Sequence, residues 1–469
     1  MALLPSSDQA IALNRFGLGA RADEPLPGQP KRWLIDQLGR FEPRPAALKG
    51  VPGSDRAGAD MRSYVQGLRR GQEGAGQKDL EAEVRRALRR QFRDYYASHV
   101  SARIEAALTT PAPFAERLVH FWANHFAVSV DKFQTIALAG TMEFEAVRPH
   151  LLGRFEELLL AVVHHPAMLL YLDQAQSIGP DSRLGQAARQ RQAKRQVGLN
   201  ENLAREILEL HTLGVDGGYA QADVQALAAG LTGWSVGGFV RRPIGDPAPD
   251  GAFVFQTRWH QPGAQTLLGV RYGQDGEAQG RAMLRALARH PATARHICTK
   301  LARHFVADVP PPALVTRLTG VWTASGGDLA RVAQALVEAS EAWAPAEKFK
   351  TPWDWTVSAL RGLGLREADD LRYPLALTAL GQPVWRPGSP AGWDDVAASW
   401  AASDALMRRV ELAGRLARRL GDRADARALA PKLLPGALSA GTARAVAQAE
   451  SPAQALALLL VSPEFMRRV

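Results

Sequence analysis

Apolar residues recur at helical spacing along most of this chain, and their pattern predicts its elements. Residues 6–40 are typical of two short helices around a glycine turn, and 79–107 of one long amphipathic helix. The prolines at the start of 111–126 suit the first turn of a helix, and about two or three further helices are expected in 134–172. From about residue 280 the helical pattern returns and continues to the end.

One stretch, 235–275, follows a different pattern. It is rich in Gly and Pro and contains short apolar alternations, such as GAFVFQTRWH and TLLGVRY. Alternation of this kind is typical of strands, so we expect one small β-hairpin excursion with about two to four short strands. The rest of the sequence has no alternation of strands with helices and no repeat of constant length. The predicted fold class is therefore mainly α, a multi-helix, bundle-like array.

The length of the chain bears on its domain organisation. A chain of 469 residues is long for one core of ordinary size, although one large helical domain is compatible with it. We divide it into N-terminal helices with a Gly/Pro/charged connector (1–110), a central helical core (111–234), the β excursion (235–275) and a C-terminal helical region (276–469). The last region could form one continuous domain with the central core.

Composition indicates a soluble globular protein. Hydrophobic residues make up 46% of the chain and charged residues 22%. The formal net charge of +10 would suit a nucleic-acid partner. However, the arginines are scattered among alanines and no nucleic-acid-binding motif is present, which argues against such a partner. The single cysteine, Cys298, excludes an internal disulfide and a cysteine-rich zinc site.

The sequence favours a cytoplasmic location. Its first residues, MALLPSSDQA, lack the basic and then apolar pattern of a secretory signal. The longest apolar run, in EELLLAVVHHPAMLLYLD, is interrupted by adjacent histidines and is too short and too polar to span a bilayer. We therefore expect no membrane span.

Polar side chains share one face of the helix that follows Asn200. At about 100° per residue, Asn202, Arg205, Glu206 and Glu209 lie within about 100° of one another, whereas His211 falls among leucines on the apolar face. An exposed network of carboxylates and arginine is the simplest interpretation. A pocket is the alternative, because Asn200 and Asn202 both stand at the helix start, where one amide is enough to cap.

The helix over 113–126 has a similar arrangement. Glu116, His120 and Asn124 share a polar stripe, and His125 falls on the apolar side. If the apolar faces of the two helices pack together, His125 and His211 approach each other across the core.

Histidines and carboxylates on facing helices can also hold a metal. The Glu-x-x-His spacing of di-iron bundles and the HExxH motif are both absent from this sequence. The cofactor is therefore left unknown, and whether a metal is bound stays open.

Two loops accompany these helices. The polar and basic segment 177–199 directly precedes the Asn200 helix, where a lid would stand, although a solvated linker is the simpler interpretation. The Gly/Pro loop WRPGSPAGWDD holds Trp385 and Trp393. We expect these tryptophans to pack as a cover over the core, with a ligand-facing loop as the alternative.

Several motifs resemble a bacterial family known as domain of unknown function 1800. In chain order they are WANHF, HPAMLLYLD, NENLAREILELHTLGVDGGY, LTGW, HPATARHI, KLARHFV, FKTPWDW, GQPVWRPGSPAGW and SPEFMRR. Their order and spacing cover the chain from about residue 10 to its end.

The resemblance implies no settled activity, but it suggests a partner. Many members of the family are encoded beside a sulfatase-like protein of the alkaline phosphatase superfamily, and many look exported. This chain departs from that pattern because it shows no export signal. Many relatives also have a histidine where this chain has Ala123, so a metal ligand at that position would be missing here.

Two hypotheses follow. In the first, the chain is an enzyme with a polar cleft between the two helices and 177–199 as its lid. The candidate catalytic residues are Glu206, His211 and His125. The candidate substrate-binding residues are Asn124, Asn202, Arg205, Asp173 and Trp234. In the second hypothesis, the chain is a non-catalytic helical scaffold for a protein partner, and the same polar groups form buried networks that fix the helices.

Overall fold

The computed structural model describes residues 7–70, 77–190, 198–238, 249–346, 348–368 and 373–469. Helices dominate this part of the chain, and its strands form two small antiparallel sheets. The predicted fold class, mainly α with a small β excursion, is therefore confirmed.

The N-terminal part consists of helices joined by irregular loops. They are α1 (Asp8–Ala10), a π-helix that continues it (Ile11–Phe16), α2 (Pro30–Leu38), α3 (Ser54–Arg70), α4 (Gln77–Thr109) and α5 (Pro113–His125). The long amphipathic helix predicted over 79–107 is α4, and the proline-led helix predicted over 111–126 is α5. Pro113 stands in the first turn of α5, where its missing N–H costs no hydrogen bond.

The central part consists of short helices. They are α6 (Ala139–Met142), a π-helix (Glu143–Val147), α7 (Arg148–His150), α8 (Phe155–His164), α9 (Pro166–Tyr171), α10 (Arg183–Gln190), α11 (Asn202–Glu206), its π-helical continuation (Ile207–His211) and α12 (Gln221–Gly230). The predicted Asn200 helix is thus α11 with the π-helix after it. Gly214 follows with a φ of 88°, a left-handed conformation that favours glycine and ends the helical path.

Residues 239–248 of the β excursion lie outside the described residues, and the described part forms two separate two-stranded sheets rather than one hairpin. Strand β1 (Trp234–Val236) pairs with β2 (Phe253–Phe255), and β3 (Gln265–Leu267) pairs with β4 (Val270–Tyr272), both antiparallel. The strand count falls within the predicted range, and the position agrees with 235–275 to within one residue.

The C-terminal part is helical again. Its helices are α13 (Glu277–Arg289), α14 (Pro291–Phe305), α15 (Pro312–Ser325), α16 (Leu329–Glu338), α17 (Pro352–Gly362), α18 (Tyr373–Ala379), α19 (Ala397–Trp400), α20 (Ser403–Leu420), α21 (Ala426–Leu433), α22 (Ala440–Ala447) and α23 (Pro452–Leu460).

Local sequence explains where several of these helices begin. His290 precedes the proline that opens α14, and its ring Nδ1 accepts the backbone N–H of Ala292. His165 does the same for α9. At α17, Thr351 and Asp354 form a reciprocal capping box, which satisfies N–H groups that have no partner within the helix.

Buried apolar side chains form one connected cluster that extends from Ala10 to Val469. Helix α2 packs on α5 and α16, and α4 packs on α17 and α18, so N-terminal and C-terminal helices share this core. The division into four regions made from the sequence stays a prediction. Within the described ranges, every helix is too short or too polar to cross a membrane.

Candidate functional site

Helix α5 is buried on its polar stripe as well as on its apolar face, and this burial organises the site. All of its residues except Asn124 are buried. Glu116 meets Arg148 through both carboxylate oxygens, at 2.6 and 2.9 Å. A carboxylate in such a place is stable only with a cation fully engaged. The stripe therefore faces protein, not solvent.

A second buried network connects α5 with α17 and the C-terminal segment. Arg117 Nη1 donates to Asp354 Oδ1 at 2.8 Å, and Arg468 donates to the other oxygen of the same carboxylate. Burial opposes ionisation of Asp354, but Arg117 and Arg468 outweigh it and hold the pKa of this carboxyl well below its ordinary value. Asp354 is therefore a permanent anion that joins three distant segments.

Beside this network lies a cavity, which we call the tryptophan cavity. Its walls come from α4, the C-terminal half of α5, the end of α14, the start of α17, the loop 382–395 and Arg468. It encloses about 680 Å³, counting the solvent at its mouth.

Trp353, Trp385 and Trp393 supply the aromatic walls of the cavity. The guanidinium carbon of Arg103 lies 4.1 Å from the ring centre of Trp353 and 5.3 Å from that of Trp385, so its charge rests on indole faces. Glu143 fixes this arrangement. Its two oxygens lie 3.0 and 2.8 Å from Arg103 Nε, and one of them accepts the indole N–H of Trp385 at 3.0 Å.

The backbone of Trp385 is strained. Its φ is +47°, in the left-handed region that bulky residues rarely adopt. Such a conformation costs about 1–3 kcal/mol and persists where surrounding contacts impose it. Here the contacts are the bond of the indole to Glu143 and a backbone bond from Val130 N to Trp385 O at 2.9 Å.

Asn124 secures the loop that carries Trp393. Its side-chain oxygen accepts the backbone N–H of Trp393 at 2.7 Å, and its amide donates to the backbone oxygen of the same residue at 2.8 Å. A Cβ on the neighbouring Gly392 would lie 2.3 Å from the Asn124 backbone oxygen. Only glycine allows this close approach, so the loop sits directly on α5.

The cavity also contains a histidine held by a carboxylate. His304 Nδ1 lies 2.5 Å from Asp395 Oδ2. Burial opposes ionisation of Asp395, but His304 and Lys348 outweigh it and lower the pKa of the carboxyl. Since an ionised carboxylate only accepts, Nδ1 carries the ring proton. His304 Nε2 is buried and has no hydrogen-bond partner among the described residues.

A second histidine, His120, lines the cavity from α5. Trp353 donates its indole N–H to His120 Nδ1 at 3.2 Å, which places the ring proton on Nε2. The nearest carboxylate oxygen, on Glu116, is 3.8 Å from that nitrogen, beyond hydrogen-bond distance. Burial lowers the pKa of His120 well below its ordinary value, so the ring is neutral.

The two histidines expected to meet across the core do so. The ring centres of His125 and His211 are 6.1 Å apart, and His125 Nε2 lies 3.2 Å from the backbone oxygen of His211. His211 is 0% exposed, and burial lowers its pKa to about 3. Both rings lie in the core and neither lines the tryptophan cavity, so the structure does not bring them together with Asn124 at one site.

Arg205, Glu206 and Asn202 lie elsewhere. Arg205 bonds to Glu201 and Gln221, each at 3.0 Å, and Asn202 is exposed. Glu206 is half-buried, and its burial raises the pKa of its carboxyl, with Glu209 adding to the effect. These residues do not line the tryptophan cavity. The tryptophan cavity is therefore not the cleft expected between the polar stripes of the two helices, and the stripe of α5 faces α17.

The last two candidates, Asp173 and Trp234, do not line the tryptophan cavity either. Asp173 is exposed and accepts from Lys132 Nζ at 2.7 Å. Trp234 is fully buried and stacks on His164, with ring centres 4.5 Å apart. The contacts of both residues are local and structural.

Two further expectations concern the lid and the metal. The predicted lid, 177–199, contains the helix α10. Residues 191–197 of the predicted lid lie outside the described residues. Across the ranges that the structure describes, no group of three or more His, Cys, Asp or Glu side chains is arranged to hold a metal ion.

The family profile described as "protein of unknown function (DUF1800)" matches residues 11–467. The chain belongs to this family. No curated protein and no solved structure shows significant similarity to it.

Motifs through which the chain resembles the DUF1800 family converge on the tryptophan cavity. WANHF supplies Asn124, KLARHFV supplies His304, FKTPWDW supplies Trp353 and Asp354, and SPEFMRR supplies Arg468. GQPVWRPGSPAGW is the loop that closes one side. Segments far apart in a DUF1800 chain thus build one site.

Sequence reasoning singled out Asn124 and placed His120 on the same polar stripe, but it missed most of the other polar residues of this cavity. The most important omissions are Arg103, His304, Asp354, Asp395 and Arg468. Each stands in an ordinary amphipathic helix or a short motif, and its partner lies far away in the chain. The motifs themselves were a usable signal, because they bring histidine, carboxylate and tryptophan together in segments too polar for a plain core.

Proposed function

We propose that this DUF1800 protein is an enzyme that performs acid–base chemistry on a small molecule bound in the tryptophan cavity. The observation that carries the proposal is the contact of 2.5 Å between His304 and Asp395. A histidine oriented by a carboxylate, with its second nitrogen unengaged, is the arrangement from which proteins build general bases.

The protonation state of His304 suits this role. Burial lowers the pKa of the ring, although Asp395 opposes the effect, so the imidazole is neutral near pH 7. With the proton on Nδ1, Nε2 presents a lone pair that can accept a proton from a bound ligand. Asp395 would then stabilise the positive charge that forms on the ring.

Asn124 has a positioning role in this proposal, because it anchors the loop that carries Trp393. The other candidates from the sequence, including Glu206 and His211, lie outside the cavity and take no part. Aromatic and polar groups around one enclosed space are typical of a small-molecule site.

The test compares what the wild-type protein and its variants consume. Purified proteins are incubated with the protein-free small-molecule fraction of a cell extract, and the small molecules are followed by mass spectrometry. We expect a compound that is depleted by the wild type but not by His304→Gln or Asp395→Asn. The matched control is His165→Gln, which removes another buried histidine beside a carboxylate, Glu145 at 3.3 Å, outside the cavity. Equal depletion by His304→Gln and the wild type would reject the proposal.

A second candidate function is the non-catalytic scaffold for a protein partner. The observation that favours it is the set of buried ion pairs, such as Glu116 with Arg148, which fix helices without any ligand. The sulfatase-like partner implied by the family resemblance belongs to this candidate, and co-purification with such a protein tests it. The cytoplasmic location expected from the sequence stays a prediction, which cell fractionation tests.

A further inference from the structure

The chemistry of the tryptophan cavity also points to a class of ligand, if the cavity is the active site proposed above. The charged side chains that line the cavity are almost all in ion pairs. Arg103 is paired with Glu143, Arg468 with Asp354, and Asp395 with Lys348, while the neutral ring of His304 donates to the same Asp395 carboxylate. Within the described residues, the only charged lining group outside an ion pair is Asp394, which is exposed at the rim.

This pairing disfavours a charged ligand. An anion or a cation in the cavity would have to separate an ion pair that already exists. Breaking a buried pair leaves one charge without compensation, which is strongly unfavourable. The interior therefore suits a ligand without net charge.

Several lining atoms have unused hydrogen-bonding capacity. Asp395 Oδ1 and Arg468 Nε have no hydrogen-bond partner in the described part of the chain, but both groups belong to the ion pairs above. The neutral atoms of this kind are the Nε2 atoms of His120 and His304, which have no partner there either, and the side-chain amide nitrogen of Gln382. The Gln382 oxygen already accepts the backbone N–H of Trp353 at 2.8 Å. Hence the cavity offers a donor at His120, an acceptor at His304 and a donor at Gln382.

The cavity combines aromatic surface with neutral polar groups. Indole walls from Trp353, Trp385 and Trp393 stand beside these neutral groups. A ligand that fits must show apolar C–H faces toward the indoles and hydroxyl groups around its edge. Hydroxyls can both donate and accept, so they can serve the donor of His120 and the acceptor of His304.

From these observations we propose that the tryptophan cavity binds a neutral, polyhydroxylated ring, that is, a sugar without acidic or amino groups. The ring stacks on Trp393, because Arg103 already lies over Trp353 and Trp385. One hydroxyl donates to His304 Nε2, where the proposed general base acts. The inference rests on the proposed function but concerns binding, so it can be tested without turnover.

The experiment is saturation-transfer NMR with the purified full chain. The neutral probes are glucose, galactose, mannose, N-acetylglucosamine and the β-1,4-linked disaccharides cellobiose and mannobiose. The charged probes are glucuronate, galacturonate and glucosamine. We expect transfer to at least one neutral sugar, and affinity about tenfold or more weaker for its charged counterpart, because of the ion pairs described above.

Variants locate the binding. Trp393→Ala should abolish the transfer and Trp393→Phe should restore part of it, since a phenyl ring still offers an aromatic face. The control Trp33→Ala removes a half-buried tryptophan of α2, outside the cavity, and should leave the transfer unchanged. Transfer to no neutral sugar, tighter binding of a charged sugar, or unchanged binding by Trp393→Ala would each overturn the ligand class. The extract comparison with His304→Gln decides separately whether the protein is an enzyme.

Discussion

The polar residues in and around the tryptophan cavity fall into two groups. Some form ion pairs or hydrogen bonds with one another, and others have hydrogen-bonding capacity that no other group uses. Asp354 has two arginines as partners, and Glu143 has an arginine and an indole N–H. By contrast, the Nε2 atoms of His120 and His304 have no partner in the part of the chain that the structure describes. Buried polar atoms are usually satisfied. These two belong to neutral rings that line one cavity, so His120 and His304 are the residues at which we expect chemistry.

The contact between His304 and Asp395 predicts a change in proton affinity. Asp395→Asn removes the negative charge that partly offsets burial, so the pKa of His304 should fall further below its ordinary value. Titration of the His304 ring by NMR measures the effect. The comparison variant is Asp394→Asn, whose carboxylate is exposed and bonds to Ser399. An unchanged or raised pKa in Asp395→Asn would contradict the assignment of the pair.

Glu206 provides a prediction about stability. It is half-buried beside Glu209, and both its burial and that neighbour disfavour its charge. Glu206→Gln removes the charge and the repulsion, so the free energy of unfolding at pH 7 should change by less than about 0.5 kcal/mol, or rise slightly. Urea denaturation measures it. A loss of several kcal/mol would mean that Glu206 anchors a network.

At the scale of elements, α5 differs from an ordinary amphipathic helix because both of its faces are buried. Its apolar face packs into the core, and its polar face meets α7 through Arg148 and α17 through Asp354. Arg468 reaches the same carboxylate from the end of the chain. The position of the cavity therefore depends on ion pairs between elements and not only on apolar packing.

Removal of the shared carboxylate should destabilise the whole arrangement. Asp354→Asn leaves Arg117 and Arg468 buried without their counter-ion and weakens the cap of α17. We expect a loss of about 3–5 kcal/mol in the free energy of unfolding. The control is Asp404→Asn, which breaks an exposed pair with Arg408 one turn away and should cost about 0.5 kcal/mol or less. Similar losses in the two variants would show that the buried network contributes little.

At the scale of the whole molecule, buried neutral histidines link stability to pH. Burial lowers the pKa of His164 and of His211 to about 3 and that of His296 to about 4, whereas the unfolded chain titrates near 6.5. Between these values the unfolded chain binds protons that the native state does not bind. The free energy of unfolding should therefore fall as the pH decreases from 6.5 toward 4, by up to about 1.4 kcal/mol per pH unit for each such histidine.

His211→Phe tests this linkage. The ring of His211 is fully buried next to Phe126, with ring centres 5.2 Å apart, and neither of its nitrogens has a partner among the described residues. The substitution should leave stability at pH 8 close to that of the wild type and reduce the slope below pH 6.5. Unfolding curves at several pH values measure both quantities. Equal slopes in the two proteins would exclude a contribution from His211.

The sequence by itself determined the class of the fold, because periodicity, prolines and glycines act over one or two turns. It located α4, α5 and the β excursion, and it placed His125 and His211 on packing faces that do meet. The family motifs indicated which segments contribute to the site, but they did not indicate that these segments meet around one cavity.

Only the tertiary structure decided which polar groups meet. The stripe of α5 could have faced the Asn200 helix, but it faces Asp354 of α17, 237 residues from Arg117 along the chain. Ion pairs form between groups that are close in space, however far apart they are in sequence. The helical period specifies on which face of a helix a residue lies, but not which element packs against that face. For that reason Asn124 could be singled out in advance, whereas His304, Asp395 and Arg468 could be recognised only together.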